Sequence, residues 1–151
     1  MSAKELNIPA IKDGTVIDHI PSRVTFKVMR ILDLREFNEV ISVALNLKSK
    51  ALGKKGIIKV GNRLLTQDEV NKIAILAPNA TVNIIKDYKV KEKIKVDVPN
   101  EIYNIIKCSN PSCVTNNEKA KTLFQVVNKA PLQVICHHCE RVMEAEDITL
   151  I

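Results

Sequence analysis

Short apolar segments separated by polar turns run through the first hundred residues, and five of them are rich in β-branched residues, which is the pattern of β-strands. These segments lie at residues 15–20, 40–47, 57–60, 81–85 and 90–98. The continuous apolar run at 40–47 predicts a central strand, whereas the alternation of apolar and charged residues at 90–98 predicts an edge strand. Residues 63–65 follow a Gly-Asn turn and are predicted to pair back as a hairpin. An extended arm is predicted for residues 1–12.

Two other segments carry the spacing of amphipathic helices. The first is predicted to begin with Ser22 as its N-cap and to end near Leu32. The second begins at a capping box from Thr66 to Glu69, in which the hydroxyl and the carboxylate each bond a free amide, and it ends near Leu76. The order β-α-β-β-α-β-β predicts an α+β fold, with an antiparallel or mixed sheet that carries two helices on one face.

After Pro99 the pattern changes to short strand segments placed around four cysteines. The predicted strands lie at 103–107, 123–128, 132–136 and 144–151. We therefore expect two domains, at 1–100 and 101–151, of which the second is a small all-β, zinc-ribbon-like module. About fifty residues bury too little apolar surface to be stable alone, so we expect a metal ion to hold this module together.

The cysteines form two short pairs, Cys108-x4-Cys113 and Cys136-x2-Cys139, with 22 residues between the pairs. This spacing allows four thiolates to surround one tetrahedral ion, and it predicts one structural Zn²⁺ per chain. Disulfides and inert buried thiols are the alternatives. No apolar leader opens the chain, which favours a reducing compartment, a cytoplasmic location and therefore a metal site.

The remaining residues predict no catalytic centre. His137 and His138 lie between two of the cysteines, but four thiolates already complete a tetrahedral shell, so we interpret both histidines as turn residues. No nucleophile with an oriented base, no catalytic metal set and no cofactor loop is recognisable. We therefore expect the chain not to be an enzyme.

Charge is distributed unevenly along the chain. Residues 1–100 hold 18 basic and 11 acidic residues, a net charge of +7, whereas residues 101–151 hold 5 and 6, a net charge of −1. A zinc-ribbon nucleic-acid-binding protein is an alternative function, which the basic balance favours. The acidic metal module and an aromatic content of 3% oppose it, because single-stranded nucleic acid is bound by base stacking. No apolar run approaches the length of a membrane span.

Lysines concentrate in two stretches of the basic domain. They are Lys48, Lys50, Lys54, Lys55 and Lys59 in the first stretch, and Lys86, Lys89, Lys91, Lys93 and Lys95 in the second. One interpretation is a solvated edge strand that lysines protect from aggregation, and the other is a polyphosphate site. Neither a P-loop nor a dinucleotide-binding motif is present. Asp18 and His19 end the first strand. They are candidates for sugar and phosphate contacts, and ordinary exposed polar residues at a strand end are the alternative.

The segments 14–21 and 80–85, together with the cysteine spacing, resemble the regulatory chain of aspartate carbamoyltransferase along essentially the whole sequence. The resemblance implies a non-catalytic subunit of pyrimidine biosynthesis. Its N-terminal domain would bind CTP and ATP at one shared site, with CTP typically inhibiting and ATP activating. Its zinc domain would contact the catalytic chain, and two regulatory chains would pair as a homodimer through their N-terminal sheets. It implies neither a nucleic acid nor a membrane as partner.

The same resemblance implies roles for individual residues. Asp18 and Lys59 look like ribose contacts. His19 and Lys93, assisted by Lys55, look like triphosphate contacts. Further contacts implied for the base, the backbone and the pocket lining are Ala10, Ile11, Tyr88, Val90, Asn83 and Ile85. Those implied for the catalytic chain are Asn110, Glu140 and Arg141.

Overall fold

The computed structural model describes residues 9–151, which divide into two compact units. One unit ends at Asp97 and the other spans Val98–Ile151. The first eight residues of the predicted arm lie outside the described part of the chain. Within that part, no helix has the length and apolar character needed to cross a bilayer.

Five strands of the first unit form one antiparallel sheet. The strands are β1 at Gly14–Pro21, β2 at Ile41–Ser49, β3 at Gly53–Gly61, β4 at Thr81–Lys86 and β5 at Lys89–Lys95. Their order across the sheet is β2-β3-β1-β4-β5. All five predicted strands are present, and β5 lies at an edge as expected.

Two predictions about this sheet are wrong. The strand predicted to be central, β2, is an edge strand, and its apolar residues from Ile41 to Leu45 are only half-buried. The hairpin partner predicted at 63–65 is not a strand. Both edges of β3 are already paired, one with β1 and the other with β2, so no position remains for a further strand. The Arg63 carbonyl accepts from the Thr15 hydroxyl at 2.5 Å instead.

Two helices accompany the sheet, α1 at Thr25–Leu32 and α2 at Gln67–Leu76. The capping box of α2 is confirmed: Glu69 N lies 3.1 Å from Thr66 Oγ1, and Thr66 N lies 3.0 Å from Glu69 Oε1. The predicted cap of α1 is wrong, because a 3₁₀ turn at Ser22–Val24 precedes the helix. The Ser22 hydroxyl instead accepts from the backbone N–H of Asn46 at 3.0 Å, which ties this turn to β2.

Both helices lie on one face of the sheet, since α1 contacts α2 and β3, and the predicted α+β class is confirmed. Helix α1 and the sheet approach each other closely at Gly56, where a Cβ atom would collide with the side chain of Thr25. Gly56, Ile58 and Val60 are buried in alternation along β3, so they face the helices. The residues between them therefore face away from the helices, because side chains alternate along a strand.

The second unit is a small all-β structure. Its strands are β6 at Glu101–Tyr103, β7 at Ile106–Lys107, β8 at Leu123–Lys129, β9 at Leu132–Cys136, β10 at Val142–Glu144 and β11 at Thr149–Leu150. A short helix, α3, spans Val114–Asn117. The strands form a sheet in the order β10-β9-β8-β6 and a separate pair, β11-β7. Its core includes Ile102, Phe124, Val134 and Met143, which are all fully buried.

Two strands predicted in this unit are each divided. The segment predicted at 103–107 separates into β6 and β7, because Asn104 adopts a left-handed conformation with φ of 54° and directs the chain to the other sheet. The segment predicted at 144–151 is interrupted by a 3₁₀ turn at Ala145–Asp147. The predicted β8 and β9 are present.

The close contact at Gly56 gives a test of which face of β3 carries the helices. We expect Gly56→Ala to lower the free energy of unfolding by about 1–3 kcal/mol, because the added methyl group overpacks against Thr25. Chemical denaturation of the full chain measures this cost. The cost should be smaller in a Thr25→Ala background, where the colliding atoms are gone. Strictly additive costs in the double variant would contradict the contact.

Candidate metal centre and cationic sheet face

The four cysteines are brought together at one end of the second unit. Cys108 follows β7, Cys113 precedes α3, Cys136 ends β9, and Cys139 lies in the turn before β10. Their sulfur atoms all lie within 4.8 Å of one another. Cys108 and Cys139 are 3.6 Å apart at Sγ, and Cys113 and Cys136 are 3.8 Å apart.

These distances fit a tetrahedral zinc site. With Zn–S bonds of about 2.3 Å, the sulfurs of a tetrahedral site lie about 3.8 Å apart. The four residues are free cysteines rather than disulfides, and three of them are buried. Four thiolates occupy every position of a tetrahedral ion, so the cluster suits a structural ion and leaves no place for a reacting water. The predicted cofactor, one structural zinc ion, agrees with this donor set.

Backbone and side-chain donors around the sulfurs tune their protonation. Burial raises the pKa of Cys108 to about 12, although the Asn110 backbone N–H opposes the shift. Burial likewise raises the pKa of Cys136. Burial also acts to raise the pKa of Cys139, but hydrogen bonds from the Asn110 side chain and the Arg141 backbone, with the neighbouring thiols, lower it to about 6. A bound divalent cation supplies the positive charge that four thiolates require.

The two histidines lie outside the cluster, in agreement with their interpretation as turn residues. Both side chains are exposed, and their rings contact edge to face with centroids 5.5 Å apart. His138 Nε2 lies 3.2 Å from the Lys121 carbonyl oxygen. Among the described residues, the cluster of potential ligand atoms contains the four cysteines alone.

The three residues predicted to contact a catalytic chain lie at the cysteine turns. Glu140 and Arg141 are exposed, and Glu140 has a left-handed φ of 61°. The Arg141 guanidinium donates to the Ser109 carbonyl at 3.3 Å, so it bridges the two turns. Asn110 is half-buried, and its side-chain oxygen accepts from the Ser112 N–H at 3.0 Å. Asn110 therefore stabilises the first cysteine turn through this hydrogen bond.

In the first unit, the pairing of the strands places several predicted nucleotide contacts on the face of the sheet that points away from the helices. Lys59 pairs with Val16, Val16 with Asn83, and Asn83 with Lys93. Directly paired residues share a face of the sheet, and Lys59 lies on the side away from the helices. This row, with Ser42 of β2 at its other end, crosses all five strands. We call this side of the sheet the open face.

A β-bulge places Asp18 and His19 beside that row. The pairing of β1 with β3 shifts between Ile17 and Ile20, and His19 takes a φ of 59°. The Lys55 ammonium pairs with the Asp18 carboxylate, with Nζ 2.9 Å from Oδ1 and 3.2 Å from Oδ2. His19 Nδ1 lies 2.9 Å from Thr81 Oγ1. The sequence placed these residues at a strand end, but the strand continues to Pro21.

The remaining predicted nucleotide contacts surround the start of β1. Ile85 and Val90 are paired with each other, and Ile85 is also paired with Gly14. Tyr88 lies in the β4–β5 turn, where its backbone N–H donates to the Lys12 carbonyl at 2.9 Å. Ala10 and Ile11 belong to the arm that precedes β1.

The arm itself reaches the open face, because the Pro9 carbonyl accepts from Lys59 Nζ at 2.9 Å. Burial lowers the pKa of Lys59, and the nearby Asp18 carboxylate partly opposes this shift. Lys59 is therefore partly desolvated, and its charge is held beside Asp18, the one carboxylate among the predicted nucleotide contacts.

Two residues of the open face were missed from the sequence. Val16 separates Lys59 from Asn83 in the row, and its backbone carbonyl accepts from the Asn83 amide at 3.3 Å. Thr81 fixes the imidazole of His19. Val16 was recognisable, because it lies two residues before Asp18 on the same strand. Thr81 was not, because its contact depends on the pairing of β1 with β4.

Comparison with known proteins agrees with this division into a cationic unit and a metal unit. Residues 6–97 match the family described as "Aspartate carbamoyltransferase regulatory chain, allosteric domain", and residues 100–149 match its "metal binding domain". Curated proteins named aspartate carbamoyltransferase regulatory chain are similar over nearly the full length. The protein from Pyrococcus abyssi is 54% identical, over 95% of this chain and 96% of its own. Those from Thermococcus sibiricus (57%; 93% and 93%) and Bacteroides fragilis (47%; 97% and 95%) are comparable.

Both matching descriptions are of a regulatory subunit, a class that is distinct from the catalytic subunits. The chain belongs to the family of aspartate carbamoyltransferase regulatory chains, with an allosteric domain followed by a metal-binding domain.

Metal removal gives a test of the cluster. The full chain is expected to hold about one zinc ion by elemental analysis, and Cys136→Ser is expected to lose it. Chelation should remove hydrogen-exchange protection from β8 and β9 but not from β1 and β3, because structural zinc contributes about 10–16 kcal/mol to folding in small domains. His138→Ala, which alters an exposed neighbour, should keep the metal. Unchanged protection of β8 and β9 in metal-free protein would contradict this role.

Proposed function

We propose that the first unit binds nucleoside triphosphates, CTP and ATP, at one site on the open face, and that binding there regulates the catalytic chain of aspartate carbamoyltransferase in pyrimidine biosynthesis. The observation that supports this most strongly is the row of Lys59, Asn83 and Lys93, with the bulge at Asp18 and His19 beside it. These residues come from four different strands, and the sheet presents them together.

The size and charge of this face suit a nucleotide polyphosphate. Lys59 and Lys93 lie three strand spacings apart, or about 14 Å between backbones, and their long side chains can converge on a ligand between them. With Lys55, they set three ammonium groups against the single carboxylate of Asp18. A polyphosphate is the class of ligand that needs several cations converging on a small volume.

Asp18 is suited to the ribose. It is half-buried and already anchored by Lys55 and by the His19 backbone N–H, whose nitrogen lies 2.6 Å from Oδ1. A carboxylate held in this way can accept from the two ribose hydroxyls, and Lys59 beside it can donate. His19, fixed by Thr81, and Lys93 are then left for the phosphates.

A regulatory chain implies a catalytic chain as partner, and the exposed Glu140 and Arg141 at the cysteine turns are the candidate contacts. Arg141 can bind a carboxylate in a bidentate manner. Pairing of two regulatory chains through their N-terminal sheets is supported by β2, an edge strand whose apolar residues are half-exposed. Four reduced cysteines support a cytoplasmic location.

Substitutions on the open face test the nucleotide site. Lys59→Ala and Lys93→Ala are each expected to weaken CTP binding about tenfold or more, because a hydrogen bond to a charged group contributes about 1.5–3 kcal/mol. Asp18→Ala should weaken it as well. Isothermal titration calorimetry of the full, zinc-loaded chain at constant salt measures these affinities.

Lys54→Ala is the matched control. Lys54 lies two residues before Gly56 on β3, so its side chain projects from the same face of the strand as Gly56 and not toward the proposed site. Its affinity for CTP should stay close to that of the unaltered chain. Equal losses in Lys54→Ala and Lys59→Ala would indicate only general charge attraction, and they would remove the site from the open face.

Regulation is tested in the complex with the catalytic chain. CTP is expected to shift the aspartate saturation curve, and Lys93→Ala should reduce that shift without dissociating the complex. Allosteric coupling is typically about 1–3 kcal/mol, or 5- to 150-fold in affinity. Saturation curves with and without CTP or ATP measure the shift, and analytical ultracentrifugation checks assembly. A full CTP response in Lys93→Ala would contradict the proposal.

A further inference from the structure

Three consecutive polar residues of α3 bond the first cysteine turn, which is the loop from Cys108 to Cys113. They are Thr115, Asn116 and Asn117, and the sequence analysis assigned none of them to a site. The helix starts at the residue after Cys113, so these side chains lie close to the loop that the chain has just left. Their bonds determine how firmly the loop is held.

Asn116 uses both of its amide hydrogens on this loop. Its Nδ2 donates to the Cys108 carbonyl at 2.9 Å and to the Asn110 carbonyl at 2.7 Å. An asparagine amide has two hydrogens to donate, so both are engaged. The opposite orientation of the amide would place its oxygen against two carbonyl oxygens, which excludes it. Asn116 is half-buried, and it joins one metal-ligating residue to the middle of the turn.

The neighbours of Asn116 bond the other end of the same turn. Asn117 Nδ2 donates to the Pro111 carbonyl at 3.0 Å and to the Cys113 carbonyl at 2.9 Å. The Thr115 hydroxyl lies 3.2 Å from Cys113 Sγ, and it is the donor when that sulfur is a thiolate. Side chains of α3 therefore contact both cysteines of the turn.

The two cysteine turns are held by different kinds of bond. Residues 108–113 lie outside the strands and helices, and their carbonyl groups are bonded largely by side chains. In the second turn, Cys136 N–H donates to the Arg141 carbonyl and Glu140 N–H donates to the Cys136 carbonyl, both at 2.9 Å. That turn also continues directly from β9. Only the first turn therefore depends on particular side chains of α3.

We propose that Asn116 and Asn117 are positioning residues of the metal centre. They hold Cys108 and Cys113 where their sulfurs can meet those of the second turn, and they thereby slow the loss of zinc. Groups that orient metal ligands typically change metal affinity by about 10- to 100-fold. This inference goes beyond the proposed regulatory function and does not depend on nucleotide binding.

The first measurement is the rate at which the full, zinc-loaded chain transfers zinc to excess 4-(2-pyridylazo)resorcinol. Asn116→Ala is expected to release zinc about 10- to 100-fold faster than the unaltered chain. Asn116→Asp, which keeps the size of the side chain but has no N–H to donate, should be at least as fast. Asn117→Ala should have a smaller effect, because its side chain is exposed and water can replace its bonds.

Asn128→Ala is the matched control. Asn128 Nδ2 donates to the Pro131 carbonyl at 2.9 Å, so the substitution removes the same type of bond from the same unit. This bond lies in the β8–β9 turn, at the opposite end of β9 from Cys136. Zinc release from Asn128→Ala should therefore match that of the unaltered chain.

The second measurement separates positioning of the ligands from general stability of the unit. The zinc-loaded chain is treated with iodoacetamide, and mass spectrometry follows the alkylation of each cysteine. In Asn116→Ala, Cys108 and Cys113 should react sooner than Cys136 and Cys139, because only the first turn has lost its supports. Unfolding of the whole unit would instead expose all four cysteines together.

Two results would overturn the proposal. One is zinc release from Asn116→Ala at the rate of Asn128→Ala, and the other is alkylation of all four cysteines in parallel. If Asn116→Ala loses its zinc before it can be studied, the exposed Asn117→Ala takes its place in both measurements. Release from Asn117→Ala no faster than from Asn128→Ala would then overturn the proposal.

Discussion

The antiparallel register of the first unit is the constraint on which its chemistry depends. Close contact between Gly56 and Thr25 directs one set of β3 residues toward the helices, so the alternate set, including Lys59, faces the other way. Pairing across β1, β4 and β5 then places Asn83 and Lys93 on the same side. A shift of one residue in any strand would turn its side chains to the opposite face and divide the cationic row.

The second unit is held by a different kind of interaction. Its apolar core is small, and four cysteine sulfurs within 4.8 Å of one another lie at one end of it. A tetrahedral ion bound there joins the ends of β7 and β9 to the start of α3, which few buried side chains could do alone. Because four thiolates fill every position of a tetrahedral ion, this end of the unit has no place for a reacting water.

Features that depend on residues close together in the sequence were predicted correctly. The capping box at Thr66 and the cysteine spacing were recognisable because each depends on residues close together in sequence. The edge position of β2 was not, because an apolar run reports burial of side chains but not the number of neighbouring strands. The hydrogen bond between Asn62 and Glu39 could not be predicted either, since these residues are 23 positions apart and are brought together by the pairing of β2 with β3.

A heteronuclear NMR titration of the full, zinc-loaded chain with CTP tests the central claim most directly. Binding on the open face predicts the largest backbone amide shifts at Asp18, His19, Lys59, Asn83 and Lys93, with little change in α1 and α2. Shifts confined to the helices or to the cysteine turns, or no shifts at saturating CTP, would contradict the account.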